Sequence, residues 1–303
     1  MRGSQISNLR SQTPYLLSPQ FLRRLEQAAI ASKRIVIGRT KGERRSARRG
    51  SSVEFADFRS YTPGDDLRYL DWNAFARLQR LFLKLFIEEE DLHVYVVLDA
   101  SRSMDFGEPA KFAWAVRAAA ALSYIALCAG DRVQVFGHAE GRGEVSRLLR
   151  GRGAASGLFA WLQDLSADGE TALSSGVRGL QAIAPAPGIT FLISDLLTPD
   201  WEQSLARLAA GRGEACVLQV FSPEEFAPTA QGDLKLVDAE TEQTREITMG
   251  PTVLRHYREE RDAFLHAVRK TCSRYGFSYL FATTDQPVED VVLKSLRHLQ
   301  VIT

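Results

Sequence analysis

The sequence predicts an α/β protein: a doubly wound, mostly parallel, Rossmann-like sheet, with a smaller N-terminal α+β region. Three observations carry that expectation. From residue 93 onward, apolar β-branched runs alternate with helical patterns. The run at 93–98 has no polar break, which suits a strand buried on both faces of a parallel sheet. A second such run at 188–193 is equally apolar, and the two lead into Asp99 and Ser194-Asp195.

The chain divides by pattern into 1–90, holding a helix, a basic loop and a small strand-containing region, and 91–303, the α/β domain. Residues 1–17 are polar and irregular. Ser18-Pro19 supplies an N-cap and a first-turn proline, and Phe21, Leu22, Leu25, Ala28 and Ala29 recur at helical spacing, predicting a helix over 19–33. The glycine-flanked segment 39–49 carries Arg39, Arg44, Arg45, Arg48 and Arg49 without hydrophobic periodicity, so a solvated loop is the plainer reading and a phosphate or acidic-surface patch the sharper one. Val53 and Phe55 alternate with polar residues as in an exposed strand. Pro63-Gly64-Asp65-Asp66 is turn chemistry, and Arg59, Asp65, Asp66, Arg68 and Asp71 have the density of ion pairs that fix a loop. A short helix over 72–80 and a strand over 81–87 close this region, before the acidic run 88–91.

In the second region the strand at 93–99 is followed by an alanine-rich helix over 111–129. A strand over 131–136, an antiparallel edge near 144–149 and helices over 154–165 and 173–183 come next. Strand 188–193, helix 201–210 and strand 215–221 continue the alternation. Residues 222–250 interrupt it, with Asp238-Ala-Glu240-Thr241 marking a hairpin carried as an insertion. A helix over 253–275, a strand over 277–282 and a helix over 288–299 complete the chain.

Composition excludes several classes. The 303 residues are 45% apolar and 25% charged, as in an ordinary globular protein that buries a core without disulfides. A net charge of +1 argues against a global attraction to nucleic acid or membrane. Cys128, Cys216 and Cys272 form no C-x-x-C pair, which argues against zinc and for a reducing, cytoplasmic setting. No stretch suggests the roughly 20 apolar residues of a membrane span. The five histidines show no ligand spacing, and no H-E-x-x-H, Walker A loop or G-x-S-x-G elbow is present.

The chemistry concentrates after the two apolar strands. Asp99, Ser101 and Ser103 follow the first, Thr171 lies in the connection before the second, and Asp195 ends the second. Loops following parallel strands open on one side of a doubly wound sheet, where such folds bind ligands. Two carboxylates and three hydroxyls are hard oxygens, a poor triad but a good partial shell for Mg²⁺ or Mn²⁺. Any one of the five alone reads more plainly as a helix cap; their conjunction points to an ion.

Those five residues match, position by position, the metal-ion-dependent adhesion site of von Willebrand factor A domains. The resemblance implies a divalent cation (Mg²⁺, or Mn²⁺ or Ca²⁺) surrounded by Asp99, Ser101, Ser103 and Thr171, with Asp195 coordinating directly or through water. Farther upstream, Arg59-Ser-Tyr61-Thr-Pro63-Gly64-Asp65-Asp66-Leu-Arg68-Tyr-Leu-Asp71-Trp72 resembles the signature of the bacterial family called domain of unknown function 58. That likeness spans about residues 40–300 and implies a partnership with a MoxR-type AAA+ ATPase; the N-terminal membrane spans of some members are missing. The resulting expectation is a cation-dependent protein-binding module, not an enzyme, that takes a Glu or Asp from its partner. The alternatives are a metal-dependent phosphoester hydrolase, which the D-x-S rather than D-x-D turn disfavours, and nucleic-acid binding through 39–49, which no aromatic platform accompanies.

Overall fold

The computed structural model describes residues 16–30, 53–63, 65–88, 92–139, 142–184, 186–211, 213–230, 232–240 and 243–303. The basic segment 39–49, most of the acidic run 88–91 and Thr241 of the expected hairpin turn lie outside them. The chain forms two units: Lys33–Asp91, and a larger one joining Met1–Ser32 to Leu92–Thr303. The first helix therefore belongs with the α/β unit, not with the small region in which the sequence pattern grouped it. Its side chains are the reason, since Phe21 and Leu25 are buried in the core of the larger unit.

That helix, α1 (Pro19–Leu25), starts as expected, with Ser18 Oγ accepting from Phe21 N at 3.2 Å. It stops well short of residue 33. Ile30 instead forms an antiparallel bridge with Ile302, and Thr303 N donates to Ala29 O at 2.9 Å. Pairing with the C-terminus thus overrides local helix propensity.

In the small unit, β1 (Val53–Ser60) and β2 (Phe82–Glu88) pair antiparallel, with a register shift between Phe55 and Asp57. Between them lies α2 (Trp72–Leu78), whose N-cap Asp71 accepts from Asn73 N and Ala74 N. The expected ion pairs form as Arg59–Asp65 at 2.7 Å and Arg68–Asp66 at 2.5 Å.

The larger unit is built on β3 (His93–Asp99), β4 (Arg132–Ala139), β7 (Gly188–Ser194), β8 (Glu214–Phe221) and β11 (Ser278–Thr283), all parallel. Two short antiparallel strands, β5 (Arg142–Val145) and β6 (Leu149–Arg150), both pair with β4. The spatial order β11-β8-β7-β3-β4-β5 makes β3 central, and the order reverses between β3 and β7. That reversal is the switch point at which doubly wound sheets bind ligands.

Helices cover both faces. Val94, Val96 and Leu98 pack on one side with α3 (Lys111–Ala129) and α4 (Ala155–Asp164). Tyr95 and Val97 pack on the other with α5 (Leu173–Ile183), α6 (Trp201–Ala210) and the long helix that precedes β11. Burial of successive β3 residues on opposite faces explains why the strand shows no polar alternation. Helix α3 is long and apolar enough to cross a membrane by length and composition, contrary to the expectation that no stretch was, yet 78% of its apolar window is buried in this unit. Its alanines allow close approach to the sheet, which places it in a core.

Beyond β8, the one-turn helix α7 (Pro223–Phe226) precedes the hairpin β9 (Gly232–Val237) and β10 (Thr244–Met249), antiparallel as expected. Helix α8 (Pro251–Tyr275) returns the chain to β11. The last predicted helix is irregular: α-helical turns Val288–Asp290 and Leu296–His298 flank a π-helical stretch, Val291–Ser295.

Candidate metal centre

The register of β3 on β7 sets Leu98 beside Ile193. The next residues, Asp99 and Ser194, therefore end the two strands side by side, and Ser194 Oγ donates to Asp99 Oδ2 at 2.6 Å. The turn after β3 folds back on its own carboxylate. Ser101 donates to Asp99 Oδ1 twice, from its backbone N at 3.1 Å and its hydroxyl at 2.6 Å. Ser101 Oγ lies 3.0 Å from Ser103 Oγ, and Ser103 Oγ lies 3.5 Å from Thr171 Oγ1. The connection bearing Thr171 is tied to this turn by Asp168 N to Ala100 O at 2.8 Å and Arg102 N to Gly169 O at 2.9 Å.

Asp99, Ser101, Ser103 and Thr171 thus form one continuous run of hard oxygens at the carboxyl edge of the sheet. Adjacent ligands at about 2.0–2.1 Å from an octahedral Mg²⁺ lie about 2.9 Å apart, close to the spacings of this run. The donor set suits a hard cation. Among the described residues no three His, Cys, Asp and Glu side chains gather as a metal site; the run at the sheet edge consists mostly of hydroxyls.

Asp195 is engaged differently. Its Oδ1 accepts from Leu197 N at 3.0 Å, and its Oδ2 accepts from Lys111 Nζ at 2.6 Å. Lys111, the first residue of α3, is fully buried and also donates to Glu225 Oε1 at 2.5 Å. Burial opposes the charge on Lys111, but Asp195 and Glu225 outweigh it and hold the amine above the ordinary lysine value. Glu225 is itself pushed up by burial despite the lysine. The charge of Asp195 acts on Asp99, the first member of the oxygen run. Burial first, and Asp195 second, push Asp99 up to about 6, against the hydrogen bonds from Ser101 and Ser194 that favour its ionised form.

Sequence reasoning did not single out Lys111, Glu225, Ser194 or Glu240. For Glu225 a signal was present: Ser222-Pro-Glu-Glu225 is a capping box, and Ser222 and Glu225 bond reciprocally at 3.1 and 2.9 Å. Ser194 sits in an apolar strand beside the predicted Asp195. Lys111 and Glu240 carry no local signal, because their partners are distant in sequence. Glu240 Oε1 accepts from Thr171 Oγ1 at 2.5 Å, and its Oε2 accepts from Thr171 N at 3.1 Å.

The fold is a mixed α/β domain with a mostly parallel sheet, and the candidate site lies at its switch point. The chain belongs to the family described as protein of unknown function DUF58, whose model matches residues 57–268. Uncharacterized proteins of Mycobacterium bovis and Mycobacterium tuberculosis are each 27% identical over 279 residues, which is 88% of this chain and 86% of theirs. Among solved structures, the chain resembles the conserved hypothetical protein BatB from Bacteroides thetaiotaomicron, with 14% identity and a TM-score of 0.42 over 69% of this chain and 98% of that one. It also resembles the SpRpn10 VWA domain, with 12% identity and a TM-score of 0.41 over 67% and 94%.

Proposed function

We propose that the chain is a protein-interaction module that binds a partner's carboxylate through a divalent cation. Asp99, Ser101, Ser103 and Thr171 would hold the ion, with Asp195 beside it, directly or through water. The observation that carries this reading is the unbroken run of hard oxygens linking two separate loops at the switch point. When bound, the ion supplies a positive centre that accepts one further oxygen ligand. The residues of this chain do the rest. Ser194 and Ser101 fix the Asp99 carboxylate, and Lys111 balances the buried charge of Asp195. Leu197 and Phe106, 50% and 46% exposed, stand on the loops that follow the two strands and offer apolar contact around the site.

The family resemblance suggests a MoxR-type AAA+ ATPase as partner, and the free cysteines suit a reducing cytoplasm. The test is retention of such an ATPase on the immobilised full chain in Mg²⁺ and in EDTA. Retention in Mg²⁺ that EDTA and Asp99→Ala each abolish is the expected result; retention indifferent to both overturns the reading.

A further inference from the structure

The hairpin β9–β10 is poorly explained by packing. Most of its side chains are exposed on both faces, and a lone two-stranded hairpin is marginally stable. The described residues at its tip nevertheless make contacts of their own: Asp238 N donates to Gln243 O, and Asp238 Oδ1 accepts from Glu240 N, both at 2.9 Å. That tip delivers the Glu240 carboxylate onto both the backbone N–H and the hydroxyl of Thr171, the last member of the oxygen run.

We propose that Glu240 is the site's own carboxylate ligand: it takes the position that a partner's acidic residue would fill. The inference rests on the function proposed above. A carboxylate offers about four lone-pair sites, so Glu240 can accept from Thr171 and still serve a cation. A hydroxyl bound to a cation is a stronger donor, and its bond to an ionised carboxylate strengthens accordingly. Glu240 also has the advantage of tethering, since a group on the same chain acts at an effective concentration in the millimolar range. A partner therefore competes with the hairpin, and an acidic residue offered with supporting contacts is favoured over a free carboxylate. Cation binding and order in the hairpin become linked.

The experiment is titration of Mn²⁺ alone into the metal-free full chain, with free Mn²⁺ read by electron paramagnetic resonance. Amide hydrogen exchange of the hairpin strands is measured in parallel with and without Mg²⁺. Wild type should bind and Asp99→Ala should not. Glu240→Gln should bind tenfold or more weakly, within the range for losing a supporting group, and should lose the Mg²⁺-induced protection of the hairpin. The exposed Glu246→Gln on β10 should match wild type, and unchanged exchange in α3 certifies that each variant is folded. Wild-type-like binding and protection in Glu240→Gln would overturn the role of Glu240 while leaving the cation site standing. Absence of binding by wild type would overturn both the site and the inference built on it.

Discussion

Asp99 is at once the most constrained side chain of the site and the most revealing. It is buried, accepts from Ser101 and Ser194, and has its carboxyl pushed up to about 6 by burial and by Asp195. Since this lies above the ordinary value of 3.8, the folded chain binds more protons than the unfolded chain between the two values. The stability this group contributes is complete below the ordinary value and is lost as pH rises through about 6. Without metal, the wild type should therefore lose stability relative to Asp99→Asn between about pH 3.8 and about pH 6. Urea midpoints of the two proteins measured across that range check it, and parallel pH profiles contradict it. The pattern Asp99-x-Ser101-x-Ser103 was legible because its members are neighbours in the chain. Lys111 and Glu240 were not, because nothing near them shows that they meet Asp195 and Thr171, 84 and 69 residues away.

At the scale of elements, strands buried on both faces announce themselves, and β3, α3, α5 and α6 fall where the pattern puts them. Ends set by tertiary pairing do not, as α1 shows by yielding its last turns to the pairing of Ile30 with Ile302. The same distinction governs the loop between β3 and α3. Gly107 there has φ +91°, and a Cβ on it would lie 2.2 Å from Cβ of Ser222, the residue whose capping box positions Glu225 against Lys111. Gly107→Ala should cost roughly 1–3 kcal/mol from the strained backbone, with the collision adding to it. Gly153→Ala, where a Cβ meets nothing within 4 Å, should stay within about 0.5 kcal/mol of wild type. Chemical denaturation of both checks this, and equal stability of the two variants contradicts it.

For the molecule as a whole, the fold class was readable from the alternation of strands and helices. The grouping of the chain was not, because α1 contributes its apolar face to a core formed by residues beyond 92. Within the larger unit the candidate site lies at one edge of the sheet. Central strand β3 and its neighbour β7 end together there, and the loop carrying Thr171 and the hairpin carrying Glu240 meet there as well. If this edge is a divalent-cation site built on Asp99 and its hydroxyl run, as we propose, the run should bind Mg²⁺ directly. Calorimetric titration of Mg²⁺ into metal-free wild type, Asp99→Asn and Ser103→Ala tests it most directly. Saturable one-to-one binding by wild type, lost in Asp99→Asn and weakened in Ser103→Ala, is the result it predicts. Equal binding by all three, or none by wild type, would contradict it.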